Sequence, residues 1–350
     1  DMSHHLAGLV KWIAEALQCA PSQVEIELIA GDASPRRYYR VTPSNGSATL
    51  TIGGGERQTS SCIAMVSPAS ENNEAFLSVG AQLAKAGVRA PAVWAQSVEL
   101  GWFLLEDFGD QQLFASLASH PASASAFYQK AFEALVCQIS LPCEWTDIPV
   151  YDAERLKAEL DVFPEWFLSG LLGVQPDERW RQCFAALTDD LISVFAEQPS
   201  VWVHRDFHSR NLMLLKAEEL GVIDFQDAVI GPVTYDLVSL LKDCYLDLSP
   251  SLLNSEVDFF HQALLKKGTL ERDFSFQEKF DYMGIQRHLK CAGIFARLNL
   301  RDGKPKYLSH IPRVLNYLRS STEKYSEFDE FTRFLVEEVM PLFETFVQSE

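Results

Sequence analysis

Residues 5 to 18 place Leu6, Leu9, Val10, Ile13 and Leu17 at helical spacing, with Pro21 beyond the stop, so the chain is predicted to open with an amphipathic helix. The period then changes. Val24 to Ala30 alternates apolar with acidic residues, Tyr38 to Val41 and Ala48 to Ile52 have strand composition, and Asn45-Gly46 between them predicts a hairpin. Cys62 to Val66, Val93 to Ala95 and Trp102 to Leu105 read as further strands, and Asn72 to Ala86 as a helix ended by Gly87. From about residue 111 helical periods dominate, interrupted by short apolar strands between Val201 and Phe225. The pattern predicts an α+β chain of two lobes. A small, mostly antiparallel β-rich lobe covers residues 1–106 and a larger helical lobe residues 107–350, joined near Glu106 to Asp110. A length of 350 residues agrees, because single cores stop growing at about 250 to 300.

Composition narrows the function. With 47% hydrophobic and 22% charged residues the chain can bury a core, so disorder is excluded. A formal net charge of −18 argues against nucleic acid and against an anionic membrane surface, both of which are bound through Lys and Arg. A nucleotide would be repelled too, unless a divalent metal and a local cluster of cations invert the field. Seven scattered cysteines without a C-x-x-C pair suggest neither a disulfide framework nor zinc, and a reducing cytoplasm is expected. No export signal or membrane span is read from the sequence, and a monomer is the expected state.

The chemistry lies in Val201 to Gln226, which runs V-W-V-H-R-D-F-H-S-R-N-L-M-L-L and, after six more residues, V-I-D-F-Q. Phosphoryl transfer needs metal across the phosphates, a carboxylate to accept the nucleophile's proton, and fixed geometry. Asp206 suits the catalytic carboxylate. Asn211, five residues on in the same loop, and Asp224 on the following hairpin suit the ligands of Mg²⁺. His208 is a second catalytic candidate, and His204 reads as a brace for the loop.

Six segments together resemble the aminoglycoside/choline kinase superfamily, and within it the bacterial anomeric kinases of N-acetylmuramate and N-acetylglucosamine. They are G-D-A-S-P-R-R-Y-Y-R-V from 31, L-L-E-D-F-G from 104, V-H-R-D-F-H-S-R-N-L-M from 203, G-V-I-D-F-Q-D-A from 221, G-P-V-T-Y-D-L-V-S-L-L-K-D-C-Y from 231 and Q-R-H-L-K-C-A-G-I-F-A-R-L from 286. The resemblance implies a two-lobed protein-kinase-like fold that uses ATP and Mg²⁺ in the cleft between the lobes to phosphorylate a small sugar. It also implies that backbone groups of Glu106 and Phe108 hold adenine, that Met65, Met213 and Ile223 enclose it, that Ser34 covers the phosphates, and that Asp236 hydrogen-bonds the catalytic-loop backbone. Two alternatives stay open at this point: an aminoglycoside or amino-alcohol acceptor, and a nucleotide- or sugar-binding regulator without turnover.

One departure supports the second alternative. No lysine occurs between Lys11 and Lys85, so the strand lysine that such folds use for phosphate is missing, and Glu74 lacks its usual partner. Arg37, Arg40 and Arg57 are the candidate replacements, since a guanidinium also grips phosphate oxygens. Farther along, Phe163, Trp166, Phe167 and Leu171 read as core, and Glu159, Asp161 and Glu165 as a solvated face. Phe328, Phe331, Leu335 and Val339 predict a C-terminal helix docked on the second lobe. In the helix from Tyr282 to Leu298, Gln286, Lys290, Gly293 and Arg297 share one face. They predict a basic ridge with room at Gly293 for a ligand, where Lys290 or Arg297 would pair with a sugar carboxylate.

Overall fold

The computed structural model describes residues 2–29, 34–52, 55–144 and 147–350. The chain divides into two compact units, Asp1–Gln111 with Met213–Asp227, and Gln112–Leu212 with Ala228–Glu350. The division thus falls at Gln111 rather than at 106, and a short later segment belongs to the first unit.

Along the chain the elements begin with α1 (Met2–Ala16), β1 (Val24–Ile29), β2 (Arg37–Pro43), β3 (Ala48–Ile52), β4 (Gly55–Thr59) and β5 (Cys62–Val66). Then come α2 (Asn73–Lys85), β6 (Val93–Ser97), β7 (Trp102–Glu106), α3 (Leu113–Ser119), α4 (Ala124–Ile139) and α5 (Ala153–Val162). After α6 (Glu178–Ala196), four short strands follow: β8 (Ser200–Val203), β9 (Leu212–Leu214), β10 (Leu220–Val222) and β11 (Val229–Pro232). The rest is helical: α7 (Tyr235–Leu241), α8 (Pro250–Lys266), α9 (Phe276–Leu300), α10 (Ile311–Thr322), α11 (Asp329–Phe334) and α12 (Met340–Ser349).

In the first unit an antiparallel sheet runs in the order β1-β2-β5-β7-β6. The apolar stripe of α1, Leu9, Ile13 and Leu17, is buried with Val41, Cys62 and Leu104 of the sheet. Helix α2 starts where the Asn72 side chain accepts the Ala75 N–H at 3.2 Å, an N-cap that satisfies one otherwise orphaned donor. Asn45-Gly46 does make a turn, with Gly46 at φ +85°, but no hairpin. A strand has two edges, and those of β2 are taken by β1 and β5, so β3 pairs with β4 instead, Ala48 opposite Thr59. The polar, exposed sequence of β4 carries no apolar alternation that would have announced it. The segment Met213–Asp227 joins this unit through β10: the Val222 N–H donates to the Arg89 carbonyl at 2.8 Å. Gly221 is required there, because a Cβ would stand 2.7 Å from the Phe108 ring.

The second unit is organised on α9. The sequence suggests a surface ridge on this helix, but residues 281–289 are all buried, charged ones included. Around it pack α5, α6, α7 and α10, together with Phe163–Leu171, which continues α5 as a π-helix. Phe163, Phe167, Trp180, Phe184 and Phe331 are core, and Phe328, Leu335 and Val339 are buried alongside. No described helix is long and apolar enough to cross a membrane.

Gly293 therefore makes room for protein and not for a ligand. A Cβ at this position would lie 2.5 Å from the main-chain carbon and oxygen of Val162. In an open helix Gly→Ala stabilises by about 1 kcal/mol. Here the obstacle is backbone, which cannot rotate away, so Gly293→Ala is expected to lower stability by about 1 to 3 kcal/mol. Urea denaturation measures this, and an unchanged or higher midpoint would refute the close approach.

Candidate active site

In the second unit β8 pairs antiparallel with β11, Val203 opposite Val229, and hands the chain to the loop 204–211. A buried carboxylate holds this loop. Asp236, in the first turn of α7, accepts the His204 N–H at 2.8 Å, the Arg205 N–H at 3.0 Å and the Gln138 amide at 2.7 Å. Arg205 sits at φ +84°, a conformation costly for a residue with a Cβ and kept only by surrounding bonds. The His204 ring braces the next step, its Nδ1 accepting the Asp206 N–H at 3.1 Å. Farther on, Ser209 gives its N–H at 3.0 Å and its hydroxyl to Asp243.

Asp206 emerges from this scaffold with 45% of its side chain exposed. Asn211 donates its amide to the Asp206 carbonyl at 3.0 Å, which commits the nitrogen to the loop. His208 turns back on the loop, its N–H donating to the Asp206 carbonyl at 2.9 Å and its ring edge meeting Tyr245. Its Nδ1 accepts the Arg210 N–H at 3.3 Å.

Cations supplied by α9 decide the charge here. Arg287 donates Nη1 to the Arg205 carbonyl at 3.0 Å and places Nη2 4.0 Å from Asp206 Oδ1. Crowding by protein would raise the Asp206 carboxyl, but Lys290, Arg287, His208 and His204 overcome it and hold it at about 2. Lys290 is not on an open ridge. Its Nζ lies 3.2 Å from Glu159 Oε1 and donates to the Tyr235 hydroxyl at 3.2 Å. Glu159, expected on a solvated face, is only 11% exposed and also binds Arg205, Tyr151 and Gln286. Burial opposes its ionisation, yet Lys290 and Arg205 keep its pKa below the ordinary value. Arg297 stands two turns along α9 from Lys290, about 10 Å, amid Arg301, Asp302 and Glu165. The structure does not bring Lys290 and Arg297 together.

The first unit carries the remaining candidates. Asp224 follows β10 at φ +59°, and its Oδ1 accepts the Gln226 amide at 2.5 Å. The next residue, Phe225, stacks on Phe76 of α2 with ring centroids 5.4 Å apart. Burial, then the charge of Asp224, pushes the Tyr38 hydroxyl up to about 12. Met65 and Met213 are buried and Ile223 half-buried. Glu106 binds Arg89 through both carboxylate oxygens, at 2.7 and 2.6 Å, and its N–H goes to the Ala92 carbonyl. The Phe108 ring lies under the Arg89 guanidinium at 5.2 Å. The Ser34 hydroxyl accepts the Arg36 N–H at 3.1 Å. Arg40 is gripped by Asp107 and Asp110, Arg57 lies over Trp94, and Arg37 and Glu74 are exposed.

Among the described residues no three His, Cys, Asp or Glu side chains cluster as a metal cage. Mg²⁺ needs no such cage, since that ion keeps waters and substrate phosphate oxygens in its shell. Sequence reasoning missed Glu159 as the partner of Arg205 and Lys290, and Arg287 as the neighbour of Asp206. Arg205 and Arg287 stand within quoted motifs, whereas Glu159 sits among other charges of α5 and carries no such signal.

The family described as the phosphotransferase enzyme family matches residues 25–268. An N-acetylmuramate/N-acetylglucosamine kinase from Pseudomonas aeruginosa is 36% identical over 308 residues, covering 87% of this chain and 86% of the relative. One of the same name from Neisseria meningitidis is 36% identical over 317 residues, covering 89% and 90%. Among solved structures, an ethanolamine kinase from Plasmodium vivax shares the fold with a TM-score of 0.63 at 11% identity, over 89% of this chain and 88% of that one.

Removing one of the cations that depress Asp206 should release it. Arg287→Gln is expected to move the Asp206 carboxyl from about 2 up toward or past the ordinary aspartate value of about 3.9. A group depressed on folding stabilises the fold above its unfolded pKa and ceases to do so as pH falls through its folded one. The variant should therefore bind its proton earlier on acidification. Carbon-13 NMR of labelled aspartate carboxyls follows this, with Asp206→Asn identifying the signal, and an unmoved titration would show that Arg287 does not set it.

Proposed function

The chain belongs to the phosphotransferase enzyme family, and from that premise we propose that it transfers the γ-phosphoryl group of ATP to the anomeric hydroxyl of N-acetylmuramate or N-acetylglucosamine. The products are the sugar 1-phosphate and ADP. The observation that carries the reading is Asp206, ionised, open to solvent and fixed by a loop that Asp236 clamps.

Asp206 accepts a hydrogen bond from the sugar hydroxyl and so aims its oxygen at phosphorus. As the new P–O bond forms and the bond to ADP breaks, the hydroxyl proton passes to the carboxylate. A carboxyl held at about 2 is a weak base, which suits a loose transition state in which the proton moves late and orientation contributes most. His204 and Asn211 hold the backbone on either side of it. Asn211 and Asp224 are the residues we propose would hold magnesium, which when bound would neutralise phosphate charge.

The surroundings of Asp206 favour a neutral or anionic acceptor over an aminoglycoside or amino alcohol. Arg205, Arg287 and Lys290 set positive charge on the α9 side of Asp206, so a cationic group placed there meets repulsion. Seven free cysteines support a reducing, cytoplasmic setting.

Incubation with ATP, Mg²⁺ and a panel of N-acetyl sugars, aminoglycosides and choline should yield ADP only with the amino sugars, and the phosphate at the anomeric carbon. ADP with choline or aminoglycosides alone would overturn the assignment. Asp206→Asn should lower turnover by about 10² to 10⁴-fold while ATP affinity measured by calorimetry stays within about twofold, because the carboxylate acts on the acceptor.

A further inference from the structure

The guanidinium of Arg36 is the anomaly of the first unit. It lies just before β2, is only 2% exposed, and its Nη2 has no hydrogen-bond partner. A buried charge is ordinarily paired with an opposite one, because desolvation is costly and only a counter-charge offsets it. Two partly buried arginines of the same unit do have such partners. Arg40 meets Asp107 and Asp110, and Arg89 meets Glu106 and Glu219. No carboxylate pairs with Arg36 among the described residues.

What holds Arg36 is neutral throughout. Its Nε donates to the Ser67 hydroxyl at 3.0 Å, and Ser67 in turn donates to Asn73 Oδ1 at 2.5 Å, at the start of α2. Its carbon lies 5.9 Å from the centre of the Phe76 ring. The guanidinium is thus oriented by uncharged groups that leave its charge intact.

Its place is telling as well. Phe76 stacks on Phe225, the residue after Asp224, with the rings only 8° from parallel. Tyr38 links the two sides, since its hydroxyl meets both the Arg36 guanidinium and the field of Asp224. The Arg36 guanidinium and the carboxylate assigned to metal thus act on one half-buried tyrosine.

We propose that Arg36 is the residue that holds the phosphates of the nucleotide, in place of the lysine missing between Lys11 and Lys85. A phosphate oxygen gives the orphaned Nη2 its acceptor and the buried charge its counter-ion, and the planar fork matches a phosphate better than an ammonium does. This rests on the reading of the chain as ATP-using, and it replaces Arg37, Arg40 and Arg57 in that role.

Calorimetric titration of the full chain with ATP, ADP and adenosine tests it, using wild type, Arg36→Gln and Arg36→Lys, with circular dichroism melting to confirm folding. Arg36→Gln is expected to weaken ATP and ADP by about tenfold to a hundredfold and leave adenosine unchanged, the scale of one charge-assisted contact. Arg36→Lys keeps the charge and should retain the fold, losing about threefold to tenfold for ATP and nothing for adenosine. Wild type that binds adenosine but gains nothing from the phosphates, or binds no nucleotide at all, defeats the ATP-using reading itself. If wild type prefers ATP and either folded variant keeps that preference in full, or loses adenosine and ATP alike, Arg36 only braces α2 and the proposal is overturned.

Discussion

The second unit depends on one buried carboxylate, Asp236. It gathers two successive backbone N–H groups of the catalytic loop and the amide of Gln138. Burial raises its pKa, and those donors work against the rise. Without it the N–H groups of His204 and Arg205 would be left unpaired inside the protein, and nothing would support Arg205 at positive φ. Asp206 is the next residue, so its direction is inherited from this clamp. Arg287 completes the hold from the other side by binding the Arg205 carbonyl, and thus one residue is fixed at both its N–H and its carbonyl.

Charge is handled locally, against the sign of the whole chain. A net charge of −18 would repel every phosphate, yet Arg287 and Lys290 make the neighbourhood of Asp206 positive enough to keep it ionised. Three cations that close would repel one another. Glu159, set between Arg205 and Lys290, makes their assembly possible, and Tyr151 and Gln286 satisfy its remaining acceptor capacity. The first unit solves a related problem differently. Arg40 and Arg89 are neutralised and serve the framework, while Arg36 is held by uncharged groups and keeps its charge for use.

Local patterns were legible in the sequence because they rest on interactions a few residues long. Helical spacing pointed to α1 and α2, alternation to β1, strand composition to most other strands of the first sheet, and H-R-D followed by an asparagine and a D-F singled out the segment of the candidate site. What the chain does far from itself was not legible. Asn45-Gly46 determines a turn, but which strands pair across it depends on β1 and β5 already occupying the edges of β2. The face of α9 that reads as polar became an interior one because charged residues can be buried when partners such as Glu159 come from another helix, and no helical period records that. Gly293 looked like space for a ligand and is space for the Val162 backbone. By itself, then, the sequence determined the class of elements and the residues able to carry phosphoryl-transfer chemistry, since both follow from side-chain type and short spacing. Only tertiary structure decided which cations neutralise which carboxylates and which stay charged, because that balance is set by burial and by neighbours tens to more than a hundred residues away.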